Sequence, residues 1–298
     1  MWRIIDISGN GYTLAVENKN IVITNQEGES SHIPFSDIHS ILFHGYGTLL
    51  SESFIENCIK LHIPLVFCDE KHLPLGITVP YCQHTDSLQR LKAQIDITLP
   101  MKKQIWKQII KAKIQSSELL LRELNLNEYK DLHQLEQKVL SGDTSNTEAQ
   151  AARIYFTALF GPDFSRRDES FIENALLNYG YTIIRSSVAR ALASAGLDSK
   201  IGIFHSGRIN PFCLVDDLME PLRVFVDSTV ISILKEIPGK VTELTPTIKK
   251  VLINTINLQC KIGDITTDLN NGIYNYVMSF LDCIEKRKES LLFPKRII

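Results

Sequence analysis

No stretch of this chain is long and apolar enough to cross a membrane as a helix, and its start, Met1-Trp2-Arg3-Ile4, carries no apolar core of the kind a secretory signal needs. A cytoplasmic protein with no membrane partner is the expectation. Paired thiols are missing too. The six cysteines, at 58, 68, 82, 213, 260 and 283, include no Cys-x-x-Cys and follow no regular spacing. That argues against a zinc ribbon or a disulfide scaffold and for reduced core thiols. Nor is there an excess of one charge: 32 Lys and Arg stand against 34 Asp and Glu, a formal net charge of −2. Such a balance speaks against coating nucleic acid over the whole surface, while leaving local patches open. No repeat of fixed period is present, and glycine and proline are sparse from Ser87 to Leu140. What remains is ordinary globular composition, 44% hydrophobic and 22% charged over 298 residues, enough for one large or two ordinary cores.

The periodicity divides the chain. Trp2–Ile7, Tyr12–Val16, Asn20–Thr24 and Ile38–Phe43 are short apolar runs rich in β-branched residues, separated by Gly9-Asn10-Gly11, Glu17-Asn18-Lys19 and similar turns. Ser51–Leu61 has helical spacing, and Pro64–Cys68 and Gly76–Val79 return to strand character. From about Asp86 the apolar positions recur at three and four residues, over Ser87–Ile97, Lys102–Asn125 and Leu126–Leu140. A helix follows from Glu148 to Phe160, ended by Gly161-Pro162. Another long one is capped at Asp168, reaches Ala195 and is closed by Gly196. The expectation is an α+β protein: a small, sandwich-like β-rich domain over residues 1–85, then a larger all-helical domain over 86–298.

Three segments hold residue types suited to chemistry. In Ser145-Asn-Thr-Glu148-Ala-Gln-Ala-Ala-Arg153, Ser145 and Glu148 fit a capping box, so Glu148 is either a cap or a ligand. In Gly202-Ile-Phe-His205-Ser-Gly207-Arg208, the small residues after His205 leave its ring accessible, and Arg208 sets a fixed positive charge near it. In Asp216-Asp217-Leu-Met-Glu220-Pro-Leu-Arg223, three carboxylates stand on an apolar turn and repel one another unless a cation offsets them; the alternative is a solvated acidic turn. Two carboxylates and a histidine with no thiolate form a set of mostly oxygen donors, suited to Mg²⁺ or Mn²⁺. Spacing alone does not bring the three segments together.

Taken in order, Glu148-Ala-Gln-Ala-Ala-Arg153, Asn174-Ala-Leu-Leu-Asn178-Tyr179-Gly180-Tyr181, Gly196-Leu-Asp198, Gly202-Ile-Phe-His205 and Asp217-Leu-Met-Glu220-Pro-Leu-Arg223 resemble the CRISPR-associated spacer-acquisition integrase, the larger of the two core adaptation proteins. Phe164-Ser-Arg-Arg167-Asp and Asn210-Pro-Phe look most like its type II members. The resemblance implies an N-terminal β domain that makes a homodimer and a helical catalytic domain. It also implies two dimers flanking a dimer of the smaller adaptation protein in a heterohexamer, double-stranded DNA as substrate, and other type II CRISPR proteins as further partners. By position it implies Glu148, His205 and Glu220 as metal ligands, with glutamate at 220 where some relatives have aspartate. Asp217 becomes a supporting catalytic residue, and Arg208 and Arg223 become phosphate contacts. The activity implied is insertion of short DNA fragments into the repeat array by direct transesterification.

Seven cations between 90 and 113 (Arg90, Lys92, Lys102, Lys103, Lys107, Lys111 and Lys113) face the single acid Asp96. Lys103, Lys107 and Lys111, spaced by four, share a helix face that is either a solvated surface or a track for DNA phosphates. The tail from Lys286-Arg287-Lys288 to Lys295-Arg296 admits the same two readings, or disorder. Two rival functions remain open: a metal nuclease that only hydrolyses DNA or RNA, and a non-catalytic DNA-binding scaffold.

Overall fold

A computed structural model describes residues 3–68, 74–78, 86–236, 241–285 and 289–297, in two compact units, Met1–His84 and Thr85–Ile298. Cys82, Val79 and the basic run Lys286-Arg287-Lys288 lie outside the described residues.

The first unit contains β1 (Arg3–Ile7), β2 (Thr13–Glu17), β3 (Asn20–Thr24), β4 (Ser30–Pro34), β5 (Ile38–Phe43), β6 (Leu49–Leu50), α1 (Glu52–Lys60), β7 (Leu65–Cys68) and β8 (Pro74–Ile77). They form two four-stranded sheets, β1-β5-β7-β8 and β4-β3-β2-β6. Both are mixed: β5 runs parallel to β1 and β7, while β7 runs antiparallel to β8; β2 runs antiparallel to β3 but parallel to β6. Alternation builds the core. Leu14, Ile21 and Ile23 from one sheet join Ile7, Ile38, Ile41, Phe43 and Leu65 from the other, and α1 adds Phe54 and Cys58, one turn apart. Ser51 caps α1 by accepting from Phe54 N at 3.3 Å. The edge strand β4, reading Ser-Ser-His-Ile-Pro, is almost wholly exposed. It lacks apolar alternation, and its pairing with β3 through the backbone makes it a strand.

The second unit is mainly helical: α2 (Ser87–Ile95), α3 (Leu99–Glu123), α4 (Tyr129–Lys138), α5 (Thr147–Phe160), α6 (Ile172–Ser194), α7 (Cys213–Met219), α8 (Arg223–Glu236), α9 (Pro246–Ile253) and α10 (Leu269–Ile284). The expectation of an all-helical domain is corrected here. Gln259–Ile262 (β9), Ile265–Asp268 (β10) and Lys295–Arg296 (β11) form an antiparallel three-stranded sheet in the order β10-β9-β11. Two four-residue strands joined by Gly263-Asp264 are too short to break a helical pattern in the sequence; Gly263 makes the turn with φ +56°. Asp168 is not the cap of α6, which begins four residues later; its carboxylate accepts from Ser170 N in the preceding turn. Gly196 (φ +62°) ends that helix as expected, with Leu197 N reaching back to Leu192 O. α6 is buried on nearly every side, and α7, α8, α9 and α10 pack around it. α3 packs on α4, α5, α8 and the turn Glu220–Leu222. No helix among the described residues is long and apolar enough to cross a membrane.

Candidate active site

The site is built on the inward face of α3. Ile109, Ile110, Ile114 and Ser117 are buried at three and four residue steps, and Lys113 falls on the same face. Its ammonium donates to Glu148 and, at 2.6 Å, to Glu220 Oε2, so one cation joins two carboxylates 72 residues apart. Burial disfavours the charge on Lys113, but Glu220 and Glu148 outweigh it and hold the ammonium above its usual range.

Glu148 lies in the first turn of α5, and capping does not occupy its side chain. Asp143 does that work: its two carboxylate oxygens accept from Thr147 N at 2.9 Å and Glu148 N at 3.0 Å. The Ser145 capping box expected from the sequence is therefore corrected; Ser145 Oγ meets the Thr147 hydroxyl instead. Freed from the helix end, Glu148 points to Lys113.

Glu220 sits in the tight turn between α7 and α8, with Pro221 unable to continue the donor ladder. Arg223 grips its carboxylate with both prongs, Nε to Oε2 at 3.1 Å and Nη2 to Oε1 at 2.9 Å. Burial pushes the Glu220 pKa up, yet Arg223 and Lys113 prevail and bring it down to about 2. Arg223 also lies over the Tyr181 ring, 4.6 Å from its centroid. Its guanidinium fork thus orients Glu220, and Arg223 also lines the cavity beside it.

His205 belongs to a loop. Asp217, fully buried, accepts from Ile203 N (2.6 Å), Phe204 N (3.1 Å), His205 N (3.1 Å) and His205 Nδ1 (2.7 Å). With Asp217 accepting on every side, Nδ1 is the donor, so in the neutral ring Nδ1 carries the proton and Nε2 keeps its lone pair. The Asp217 hydrogen bond holds the His205 pKa up against partial burial, and the charges of Asp217 and Glu220 add to it. Gly202 permits the arrangement: a Cβ there would collide with His205 O and lie 2.9 Å from Asp217 Oδ2.

The three carboxylates expected to crowd one acidic turn are thus separately partnered. Asp216 binds Arg185 (2.8 and 3.0 Å) and Asn210 (2.7 Å), Asp217 holds the His205 loop, and Glu220 meets Lys113 and Arg223. A cavity of about 250 Å³ opens at the centre, lined among others by Lys113, Glu148, Tyr181, Glu220, Arg223 and Asp227. His205 does not line it. Asp227 escaped the sequence reading, with Tyr155 and Tyr181: both phenols donate to its carboxylate, at 2.8 and 2.5 Å. Burial raises the Asp227 pKa to about 6, even though the two tyrosine hydrogen bonds and the nearby arginines oppose the rise. The signal for Lys113 was available, since it interrupts an apolar α3 stripe; Asp227 offered a similar one, as the only charge between Val224 and Ile233 in α8.

The remaining DNA-contact candidates are scattered. Arg208 is exposed in the loop after His205, and Lys103 is exposed on α3. Lys107 is half-buried, and Lys111 pairs with buried Glu136 at 2.9 Å. The face is not the uniform row of free cations that its spacing suggested.

Among the described residues no three of His, Cys, Asp or Glu stand ready as one metal-binding group. The donor set nevertheless fits a hard cation. Glu148 and Glu220 already converge on one positive charge, and the Asp217 bond leaves His205 Nε2 as the available nitrogen.

The family model described as "CRISPR associated protein Cas1" matches residues 5–255. A CRISPR-associated endonuclease Cas1 from Neisseria meningitidis serogroup C (strain 8013) is 40% identical over 263 residues, 88% of this chain and 85% of the relative. Among solved structures, a casposase bound to integration product superposes with TM-score 0.84 at 23% identity, over 97% of this chain and 92% of that one. A Cas6-RT-Cas1–Cas2 complex matches with TM-score 0.76 at 19% identity, covering 97% of this chain and 35% of that one.

Proposed function

This chain belongs to the CRISPR associated protein Cas1 family, and on that premise we propose that it is the Mg²⁺- or Mn²⁺-dependent integrase of spacer acquisition, joining 3′-hydroxyl ends of short duplex DNA into the repeat array by direct transesterification. The observation that carries the proposal is the convergence of Glu148 and Glu220 on one positive charge, with His205 held by Asp217 in the tautomer that leaves Nε2 open.

Glu148, Glu220 and His205 Nε2 would hold the cation, which when bound supplies Lewis-acid help to the hydroxyl and to the phosphate. The chain's own residues do the rest. Lys113 and Arg223 keep Glu220 ionised, and Lys113 aims both carboxylates at one point. The same cations offset charge developing on a phosphate in the cleft, and Arg208, exposed beyond His205, adds an outer contact. Asp217 fixes the imidazole and needs no change of protonation. In the reaction the 3′-oxygen forms a bond to phosphorus, the target's P–O3′ bond breaks, and one proton passes from the attacking hydroxyl to the departing one. No covalent enzyme intermediate is needed.

The same reading takes the family's assembly as this chain's own: a homodimer through the N-terminal unit, joined to the small Cas2 partner in a heterohexamer on duplex DNA, within a type II system. The presence of a Cas6-RT-Cas1–Cas2 complex among the structural neighbours supports the Cas2 partner.

The test uses the protein, its small partner, a short duplex and a supercoiled array plasmid. Joined products are expected with Mn²⁺ or Mg²⁺ and none with EDTA; nicks alone indicate a hydrolytic nuclease, and binding without either indicates a scaffold. Glu148→Gln keeps the side chain's size but loses the anionic donor. It should lower joining by more than about 100-fold, the scale of losing one fixed electrostatic group at a reacting phosphate. Joining at the wild-type rate by folded, DNA-binding Glu148→Gln protein removes Glu148 from the site.

A further inference from the structure

The loop that carries His205 also displays an aromatic ring that nothing in the proposed chemistry uses. Phe204 is 54% exposed, although it stacks on Trp106 with centroids 4.3 Å apart and planes within 4°. Trp106 is itself buried and covers one face of the ring, so the exposure falls on the other face and the rim. The His205 ring meets Phe204 edge to face, 5.6 Å away, and meets Trp106 the same way at 6.0 Å.

This ring is held still. Phe204 N donates to Asp217, as do the N–H groups on either side, and Lys102 Nζ holds Gly202 O at 3.2 Å. The surroundings are mixed in a particular way. Lys200 and Arg208 are exposed in the same loop, and Ile209 is 96% exposed. Fixed aromatic faces interleaved with cations are what a protein offers to an unpaired base, whose π face stacks while its phosphates meet the charges.

We propose that the open face of Phe204, backed by Trp106, is a stacking platform for the unpaired terminal base of the DNA strand whose 3′-hydroxyl reacts. The inference rests on the integrase reading, since it takes His205 to stand at the reacting hydroxyl. The His205 ring stands beside the rim of Phe204, 5.6 Å between centroids, so a base stacked on the open face has the imidazole at its flank, and its sugar can carry the 3′-hydroxyl toward His205. Phe204 is thus a positioning residue, acting by holding the nucleotide whose oxygen attacks.

A purely structural role, covering Trp106, needs only an apolar side chain, and that decides the variants. Phe204→Leu keeps an apolar cover and removes the π face; Phe204→Tyr keeps the face. The full-length protein in EDTA is titrated with a duplex whose 3′ overhang ends in 2-aminopurine, so that no joining occurs. Wild type and Phe204→Tyr should quench the probe strongly. Phe204→Leu should leave it bright with duplex affinity changed less than about threefold, since phosphates dominate affinity. At saturating DNA with Mn²⁺, joining by Phe204→Leu should fall about tenfold and be restored in Phe204→Tyr. A Phe204→Leu protein that quenches and joins like wild type overturns the platform, as does a wild type that joins strands without quenching. If Phe204→Leu instead loses association with the small partner while still quenching, the face belongs to a protein and the proposal is wrong. A wild type that quenches but never joins leaves the platform standing and sinks the integrase reading, so the two failures are distinct.

Discussion

The two units of this chain treat charge in opposite ways. In the N-terminal unit the buried residues are Leu14, Ile21, Ile38, Ile41, Phe54 and their like, and Ser40 is the one polar residue in that class among those described. Among the same residues, its closest approach to a buried ion pair is His44, 3.6 Å from Asp6. In the C-terminal unit Glu118, Glu136, Asp217, Glu220 and Asp227 are all buried, with Lys249. Burying a carboxylate costs several kcal/mol unless hydrogen bonds and counter-charges offset it. Each has an offset: His133 for Glu118, Lys111 and Gln115 for Glu136, the His205 loop for Asp217, Lys113 and Arg223 for Glu220, and two tyrosines for Asp227. The first unit devotes its interior to apolar stability. The second fixes the direction of ionisable groups, three of them around the proposed chemistry.

The strongest way to break this comparison is a matched pair of substitutions. Leu14→Ala empties a fully buried position in the first unit and should cost about 2–5 kcal/mol, leaving joining per folded molecule unchanged. Asp217→Ala removes the acceptor of three backbone N–H groups and one imidazole, and should cost about 3–5 kcal/mol. It should also abolish joining, because the His205 tautomer is no longer set. Urea unfolding gives the stabilities, and plasmid joining per folded molecule gives the second readout. Asp217→Ala with wild-type joining after correction for the folded fraction would falsify the claim that this buried charge serves the site.

A subtler difference lies inside the cavity, where Glu220 and Asp227 shift in opposite directions. Glu220 is brought from 4.5 down to about 2, so its contribution is present above pH 4.5 and lost as pH falls toward 2. Asp227 is raised from 3.8 to about 6; its contribution is fully present below pH 3.8 and is lost as pH rises through 6. Two pKa units correspond to about 3 kcal/mol. Denaturation of wild type and Asp227→Asn in EDTA between pH 4 and 7 isolates that group. The stability of wild type relative to Asp227→Asn should fall by up to about 3 kcal/mol across the range; a pH-independent difference means that Asp227 ionises normally.

Legibility in the sequence follows the same division. Asn20–Thr24 and Ile38–Phe43 are readable as strands to the residue, because both are short apolar runs rich in β-branched residues. The first alternates in burial as a half-buried strand does, while the second, interior to its sheet, is buried at Ile38, Ile41, Leu42 and Phe43 alike. Ser30–Pro34 is not, since its pairing is backbone alone, and the β9–β10 hairpin is lost in a helical pattern. For the site, the order Glu148, His205, Glu220 comes through resemblance to a family rather than through spacing. What those side chains do is hidden: that Asp143 caps α5 and frees Glu148 depends on an Asn146 in the left-handed region, φ +51°, which turns the chain back on itself. Lys113 stands in the sequence as one of seven cations, and only its place on the apolar stripe of α3 sets it apart.

The smallest expected effect separates two lysine–glutamate pairs, one in each unit. Lys60–Glu56 on α1 is the shorter, 2.6 Å against 2.9 Å for Lys111–Glu136, so distance alone would rank it stronger. Exposure reverses the order. Both partners of the first pair are more than half exposed, whereas the Glu136 side chain is 3% exposed. Water and salt screen the first pair, and a double-mutant cycle should return about 0.3–0.5 kcal/mol. Removing Lys111 leaves Glu136 with neutral Gln115 and Gln137, so that cycle should give about 1–2 kcal/mol. The same asymmetry bears on DNA. Lys103 is exposed, so Lys103→Glu should weaken all duplexes alike and reduce the salt slope of binding by about 1, the signature of one phosphate contact. Lys111→Glu should instead destabilise the fold by setting two carboxylates together, with little change in the slope for the folded fraction. Should Lys111→Glu lower the slope as much as Lys103→Glu without loss of stability, the Glu136 pair is incidental and Lys111 returns to the DNA-binding surface.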